Sequence, residues 1–360
     1  MLEEVKPLVN TGLIEREKED KILSIALVAK EHVIFVGDKG TAKTLLAEQF
    51  FRWVDGKFYA TTLGRTSDET PLFGPMSIKE YREGRYGYEY KGTILDCDYG
   101  FINEGFDAND NLLRTLLDVL NERRFQRGTF VLKPIPLQMA VMTANYTRLN
   151  EVTAAFVDRF LFKWFVTPVV AKEKLIGWEA PKTGTRVTPE DLEKHREKTA
   201  KVTFSRELAK AIVEIGRKLK FSDRTITKSV NVVQATAHLS GRARASWKDL
   251  FALVAFHSMT AEDRKSAEGI VSEVTEELRK KEVVVEQMAK LDTFEAEMER
   301  LVIDPKNEDS APAVLRAMNT LSQEIEKLMP EEDSVSRRKN EMVKKAETKQ
   351  KKLLSEAGFE

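Results

Sequence analysis

The segment GDKGTAKT, residues 37–44, combines residue types and a spacing that can hold a chain of phosphates. It follows the apolar run VIFV and opens the helix-like run TLLAEQFFRWV, and it matches G-x-x-x-x-G-K-[ST] with Ala42 in place of the last glycine. In this pattern, backbone N–H groups and the helix amino terminus bind phosphate oxygens, while the lysine reaches the β- and γ-phosphates and the hydroxyl ligates Mg²⁺. Gly37 and Gly40 allow the backbone conformations that such a loop needs. A chance Lys-Thr pair after a glycine-rich turn is the alternative, and the flanking strand and helix count against it.

This segment predicts a site for ATP or ADP with Mg²⁺. An alanine at position 42 is compatible with the site if its backbone is helical, as an ordinary L-residue prefers. The nucleotide-binding residues are predicted to be Gly37, Asp38, Lys39, Gly40, Thr41, Ala42, Lys43, Thr44 and Leu45, with Thr44 as a Mg²⁺ ligand.

A second apolar strand ends in Asn103 and Glu104, within YGFINEGFD at residues 99–107. A carboxylate at this place can polarise a water that attacks the γ-phosphate, which predicts a catalytic role for Glu104. Asn103 can accept a hydrogen bond from a Mg²⁺-bound water but lacks the negative charge of aspartate. We therefore expect ATP binding with weak Mg²⁺ retention and slow hydrolysis. Compensation by Asp96, Asp98 or Asp107 stays open at this point.

Several motifs in order resemble the MoxR branch of the AAA+ ATPases, and within it the RavA-type proteins. They are LFGPMSI, LLDVLNERRF, the strand ending in TAN, and VDRF, with GLIERE before them and FSDRTITKSV after them. The resemblance covers about residues 8 to 260. It implies a hexameric ring that hydrolyses ATP, in the manner of a chaperone, to remodel or mature a partner protein. It further implies that this partner carries a von Willebrand A domain.

The resemblance also assigns roles to residues outside the phosphate-binding loop. Asn145 would be the sensor that orients the water, beside Lys43, Asn103 and Glu104. Arg159 would be the arginine finger that acts on the ATP of a neighbouring subunit. Arg224 would be a second sensor reaching the γ-phosphate from a small helical domain. Arg242 and Arg244 are alternatives for that last role. The family would also carry an insertion at LFGPMSIKEYREGRYGYEYKG and a hairpin at RRFQRGTFVLKPIPLQ.

Strands that alternate with helices predict an α/β fold, a P-loop AAA+ core with a parallel sheet flanked by helices. We expect this core over residues 1–177, a small all-helical lid over 178–262 that begins its first helix at Thr188, and a C-terminal arm over 263–360. In the arm, apolar residues at heptad-like spacing predict an antiparallel helical hairpin that turns near 304–312. The Lys-rich stretch 337–354 is expected to be a solvated helix packed loosely on it, and a projecting arm that docks a partner is the alternative.

The composition limits the class of protein. With 58 basic and 58 acidic residues the net charge is zero, which counts against nucleic acid as a partner. Cys97 is the only cysteine, which favours a reducing, cytoplasmic location, and no apolar run is long enough to cross a bilayer. A non-hydrolysing ring that presents its helical hairpins to a partner is the main alternative to an ATPase. A nucleic-acid translocase is the third.

Overall fold

The computed structural model describes residues 2–145, 151–181, 184, 186–302, 310–330 and 332–356. The chain divides into two compact units, Met1–Thr275 and Glu276–Glu360. Within the described residues, no helix combines the length and the apolar character needed to cross a membrane.

The first unit is built on a five-stranded sheet whose strands all run parallel, in the order β2-β3-β6-β1-β7. The central strand β1 pairs through Val33 with Val141 of β6 and with Phe162 of β7. Continuous burial of β1 and β6 suits strands that are covered on both faces. The strands are β1 Val33–Val36, β2 Phe58–Thr62, β3 Tyr99–Asn103, β6 Met139–Ala144 and β7 Phe162–Phe165, with β4 Phe125–Arg127 and β5 Phe130–Leu132 forming the predicted antiparallel hairpin.

Helices alternate with these strands, which confirms the predicted α/β fold. Side chains of α5 and α6 pack with Ile34, Ile102 and Met142 of the sheet in one core cluster. Asn109 caps α5 by accepting a hydrogen bond from Leu112 N–H. The helices of this part are α1 Glu17–Ala29, α2 Lys43–Arg52, α3 Thr70–Phe73, α4 Ile78–Arg82, α5 Asp110–Glu122 and α6 Glu151–Val157.

The described residues that follow the sheet are mainly helical: α7 Pro189–Ala200, α8 Arg206–Lys218, α9 Asp223–Leu239 and a 3₁₀ segment Trp247–Phe256. The predicted start of α7 is confirmed, since Thr188 and Asp191 form a capping box. Helix α9 lies beside α1 near the amino end of β1, where Lys228 Nζ contacts Glu31 Oε2 at 2.6 Å and Asn231 Nδ2 donates to Ala29 O at 3.3 Å.

The second unit contains the end of α10 Ala261–Arg300, which begins in the first unit, together with α11 Ser310–Lys327 and α12 Asp333–Glu356. The predicted boundary at residue 263 falls inside α10. Most of the predicted turn at 304–312 lies outside the described residues. The prediction of a loosely packed third helix is wrong. Val335, Met342, Ala346 and Leu353 of α12 are buried in a core shared with α10 and α11. Their spacings of seven, four and seven form a stripe that the many lysines of α12 obscure in the sequence.

Candidate nucleotide-binding site

The site lies where β1, β3 and β6 end, at the carboxyl edge of the sheet. The phosphate-binding loop, residues 37–44, follows β1, Asn103 and Glu104 follow from β3, and Asn145 follows β6. This edge is where open parallel sheets bind ligands. A cleft of about 730 Å³ there is lined by Lys39, Gly40, Thr41, Ala42, Lys43, Thr44, Leu45, Asn103, Glu104, Asp107 and Asn145.

The two glycines of the loop are required for different reasons. Gly40 has φ +81°, a left-handed conformation that favours glycine. At Gly37 the limit is space, because an added Cβ would lie 2.5 Å from Val166 O, just beyond β7. Gly37 N–H also donates to Ala144 O at 3.2 Å, which fixes the start of the loop beside β6.

Ala42 is left-handed, with φ 63° and ψ 25°, so the expectation of a helical backbone at this position is wrong. Helix α2 begins only at the next residue, Lys43. A left-handed non-glycine residue costs about 1–2 kcal/mol. The loop therefore carries backbone strain at the position where the common motif has glycine.

Lys43 spans the loop from the first turn of α2. Its Nζ donates to Gly37 O and Asp38 O, both at 2.8 Å, and to Asn145 Oδ1 at 3.0 Å. Burial lowers the pKa of the Lys43 ammonium, against the opposing effect of the Glu104 and Asp38 carboxylates. The side chain is thus held at the mouth of the loop with its charge toward the cleft residues.

Asn103 is held in a network of hydroxyl groups. Its Oδ1 accepts from Thr44 Oγ1 at 3.2 Å and from Thr143 Oγ1 at 2.6 Å, and its Nδ2 lies 3.4 Å from Thr62 Oγ1. The Thr44 hydroxyl can direct a lone pair toward a metal ion while it donates its proton in a hydrogen bond to Asn103 Oδ1. The amide therefore supplies the hydrogen bond that a carboxylate would make here, without the charge.

Glu104 and Asn145 are joined directly, since Asn145 Nδ2 donates to Glu104 Oε1. Asn145 Oδ1 accepts from Lys43, so one amide links the lysine to the carboxylate. Glu104 has a left-handed backbone, φ 55°, at the end of β3. Such conformations at a polar site are maintained by surrounding contacts and are typical of functional positions.

Asp96, Asp98 and Asp107 are the candidates to replace the negative charge that Asn103 lacks, and one of them, Asp107, lies at the site. Asp96 pairs with Lys57 Nζ at 2.9 Å, and Asp98 accepts from Lys57 N–H at 2.8 Å. Both precede β3 and lie at its amino end. Asp107 lines the cleft.

Arg159 and Arg224 lie at the opposite, amino edge of the sheet. Arg159 stands before β7, and its neighbour Asp158 accepts from Ser222 Oγ at 3.4 Å, at the start of the helix that carries Arg224. Since β1 has four residues, about 13 Å of strand separates the two edges. The structure therefore does not bring Arg224 to the phosphate-binding loop of the same chain, contrary to the expectation for a second sensor.

The two alternatives for that sensor are also away from the loop. Arg242 Nη1 contacts Glu4 Oε2 at 2.8 Å, and its Nη2 pairs with Asp249. Arg244 is exposed, next to the Thr203–Arg244 bridge. The Arg242 contacts tie the N-terminal segment to the 3₁₀ segment Trp247–Phe256.

Sequence reasoning did not assign Arg16, which contacts the loop directly. Its side chain is 2% exposed and its Nη2 donates to Thr41 O at 3.1 Å and to Thr167 O at 2.9 Å. The signal was present in GLIERE, where an arginine stands just before a mostly apolar helix. A buried arginine must be paired, and here main-chain carbonyls are the partners.

Comparison with known families decides the classification. Residues 1–203 match the model of the MoxR domain in the MoxR-vWA-beta-propeller ternary systems, and residues 204–271 match an AAA lid domain. The chain belongs to the MoxR family of AAA+ ATPases.

Two individual relatives and one solved structure are similar to the chain. The chain is 31% identical over 259 residues to an uncharacterised protein of Methanocaldococcus jannaschii, MJ0812, and the alignment covers 69% of each chain. It is 30% identical over 168 residues to Chaperone MoxR1 of Mycobacterium tuberculosis, covering 44% of this chain and 41% of the relative. A solved structure of a candidate ATPase from Cytophaga hutchinsonii shares the fold, with TM-score 0.58 at 18% identity, covering 76% of this chain and 91% of that one.

The residues at this MoxR site fit a nucleotide with its metal ion. Gly40 has no side chain and a positive φ, which leaves the backbone of the loop accessible, and Lys43 places its ammonium beside the cleft. Thr44 offers a hydroxyl oxygen, the kind of ligand that Mg²⁺ accepts together with phosphates.

Proposed function

We propose that this chain binds ATP with Mg²⁺ and hydrolyses it slowly, as a subunit of a hexameric ring that remodels or matures a partner protein. The observation that carries the proposal is the linkage Lys43–Asn145–Glu104, which joins a phosphate-binding lysine to a candidate base through one amide. The linkage holds the candidate base beside the lysine proposed to bind the β- and γ-phosphates, which suits activation of a water that attacks the γ-phosphate.

Each residue of the linkage has a proposed part in the reaction. Lys43 binds the β- and γ-phosphates after leaving the carbonyls of Gly37 and Asp38. Glu104 accepts a hydrogen bond from the attacking water and polarises it, and Asn145 holds that carboxylate in place. Mg²⁺, held by Thr44 and through water by Asn103, would supply charge on the phosphates. Because Asn103 is neutral, we expect this metal to be held weakly.

The two arginines at the amino edge of the sheet are proposed to act on the nucleotide of a neighbouring subunit. Among the described residues, Arg159 Nε and Arg224 Nη1 are buried without a hydrogen-bond partner, while Arg159 Nη1 pairs with Asp158 Oδ2 at 3.3 Å. A buried N–H group without a partner is costly, so a phosphate that reached these two nitrogens would supply the missing acceptor. Each subunit would then complete the site of the next through a head-to-tail contact, which closes on itself in the proposed ring.

The partner is proposed to carry a von Willebrand A domain, because the matching family model describes MoxR domains from systems that also contain vWA and beta-propeller proteins. We further propose a RavA-type role in a cytoplasmic setting. The arrangement of core 1–177, lid 178–262 and C-terminal arm 263–360 remains our working division of the chain.

The first test is Mg²⁺-dependent phosphate release by the purified protein. Lys43→Ala and Glu104→Gln should abolish it, whereas Arg217→Ala, on the exposed face of α8, should leave it unchanged. Absence of release from the parent protein under conditions where it binds ATP would refute hydrolysis.

The ring arrangement is tested by mixing two inactive variants. Arg159→Ala subunits bind ATP but lack the finger, and Lys43→Ala subunits retain the finger. Mixed rings should therefore recover part of the activity, because an Arg159→Ala site can receive the arginine of a Lys43→Ala neighbour. Failure of mixed rings to gain activity, with mixing verified by differential tagging, would contradict action between subunits.

A ring that binds ATP without hydrolysing it is the second candidate function. The neutral hydroxyl network around Asn103 favours it, because the position that usually strengthens Mg²⁺ binding carries no charge. One relative, 24% identical over 168 residues, is named Structural protein ORF618 of Acidianus two-tailed virus. Tight ATP binding and ATP-dependent assembly without phosphate release would support this candidate.

A further inference from the structure

Arg16 connects three segments: the one before α1, the phosphate-binding loop and the one that follows β7. It is the residue before α1, and its Nη2 donates both to Thr41 O in the loop at 3.1 Å and to Thr167 O beyond β7 at 2.9 Å. Its Nη1 donates to Glu15 O at 2.8 Å. The preceding residue, Glu15, accepts from Val170 N–H at 2.7 Å and Ala171 N–H at 2.9 Å, which anchors the same segment again.

The contact with Thr41 O acts on the peptide group that Thr41 shares with Ala42. The C=O of a trans peptide and the N–H of the next residue point in opposite directions within one plane. Holding Thr41 C=O toward Arg16 therefore turns the Ala42 N–H away from Arg16, and Ala42 lines the cleft. Backbone N–H groups turned into such a concavity are what binds phosphate oxygens.

The same contact explains how Ala42 stays left-handed. Ala42 has φ 63°, which an alanine does not adopt without constraint. On one side it is held by α2, where Leu46 N–H donates to Ala42 O at 2.9 Å. On the other side the preceding carbonyl is held by Arg16. The strained conformation is thus fixed from both ends, as such conformations must be to persist.

We infer that Arg16 is a positioning residue for nucleotide binding: it clamps the Thr41 carbonyl and so preorganises the phosphate-binding loop in the conformation that receives the phosphates. The inference rests on the proposed binding of ATP. It assigns to Arg16 no contact with the nucleotide. Its effect passes through Ala42, and a glycine at that position should reduce the need for the clamp, because glycine adopts positive φ readily.

The test is a double-mutant cycle on ATP affinity, with Arg16→Lys, Ala42→Gly and the double variant measured by equilibrium binding in Mg²⁺. Lysine keeps the charge but loses the planar guanidinium that reaches three carbonyls, those of Glu15, Thr41 and Thr167. Arg16→Lys should weaken ATP binding about tenfold, and adding Ala42→Gly should restore most of that loss. Arg16→Gln, alone and with Ala42→Gly, gives the same cycle with a neutral donor if the lysine variant does not fold.

Arg196→Lys is the matched control. Arg196 is also mostly buried and donates to main-chain carbonyls, Leu27 O at 3.1 Å and Val28 O at 3.4 Å, but it does not contact the loop. Melting curves of the nucleotide-free variants separate stability from affinity. Arg196→Lys should lower the melting temperature without changing ATP affinity.

The outcomes separate the clamp from a general structural role. Unchanged ATP affinity in Arg16→Lys would overturn the inference. The inference would also be overturned if the effects of Arg16→Lys and Ala42→Gly on ATP affinity were additive, because Arg16 would then not act through Ala42. If the parent protein itself does not bind ATP, the proposed function fails, and this is seen before any Arg16 variant is compared.

Discussion

Replacing Ala42 by glycine should stabilise the protein, although it adds a flexible residue. Ala42 has φ 63° and ψ 25°, and it is the residue immediately before α2. Glycine adopts this conformation without the clash that a Cβ makes with the neighbouring carbonyl oxygen. Ala42→Gly therefore removes strain from the folded chain and changes no hydrogen bond.

The size of the effect follows from two opposing contributions. Removing the backbone strain of the left-handed alanine stabilises the folded state by about 1–2 kcal/mol. The greater freedom of glycine in the unfolded chain costs about 0.5–1 kcal/mol. From the midpoints of these two ranges, the free energy of unfolding should rise by about 0.75 kcal/mol. For a unit of this size, with about 2–4 °C for each kcal/mol, the melting temperature should rise by about 1.5–3 °C.

Thermal and urea unfolding of the nucleotide-free protein would measure this change. Ala209→Gly is the matched control, because Ala209 is also half-buried but lies inside α8, where glycine costs about 1 kcal/mol. The two substitutions should shift stability in opposite directions. If Ala42→Gly destabilises the protein as much as Ala209→Gly does, then Ala42 is not strained and the argument for the loop fails.

Three further results are expected. Asn103→Asp should tighten Mg²⁺ binding by about tenfold and raise the phosphate-release rate. The reason is that a charge-assisted hydrogen bond gains about 1–1.5 kcal/mol over a neutral one. An equal or lower rate of phosphate release would contradict this. Burial raises the pKa of Asp20 from 3.8 to about 7. Between pH 4 and 7 the folded chain thus keeps a proton that the unfolded chain has lost. The free energy of unfolding should therefore fall as pH rises, by up to about 1.4 kcal/mol per pH unit. In urea unfolding, Asp20→Asn should show a flatter dependence of this free energy on pH. Met342→Ala in α12 should cost about 2–5 kcal/mol in urea unfolding while Lys344→Ala, exposed on the same helix, costs little; equal effects would contradict a buried stripe.

The α/β core was predictable because its signals are local. The run VIFV ends in a glycine-rich loop, and the fully buried β1 follows from that run. Thr188 and Pro189 marked the start of α7 in the same way, through capping chemistry that depends on adjacent residues. The error over α12 has a physical reason. Its buried residues lie seven, four and seven apart among many lysines, and the burial of such a sparse stripe depends on α10 and α11 rather than on its own composition.

The candidate site was predictable only in part. Strand order brings Asn103, Glu104 and Asn145 to one edge, and this follows from motif order in a parallel sheet. The left-handed backbone of Ala42 did not follow, because the hydrogen bond from Arg16 to the preceding carbonyl joins residues 25 positions apart, which no local pattern encodes. The place of Arg224 depends on how α9 docks against α1, through Lys228 and Glu31, and no local pattern encodes that contact.

The positions of the arginines bear on how the proposed ring would be controlled. Each chain holds its nucleotide-binding groups at the carboxyl edge of the sheet and Arg159 and Arg224 at the amino edge. In the proposed mechanism a subunit with this arrangement would bind ATP on its own, but its own arginines would lie too far away to stabilise charge that develops on the γ-phosphate. Hydrolysis would then require contact between subunits, and the contact would sense whether the neighbour holds ATP. Because Asn103 would weaken Mg²⁺ binding, hydrolysis would be slow. Each ATP would then stay bound long enough for the ring to act on its partner before phosphate is released. In this view the asparagine sets the duration of the ATP-bound state, and the arginines of the neighbouring subunit end it.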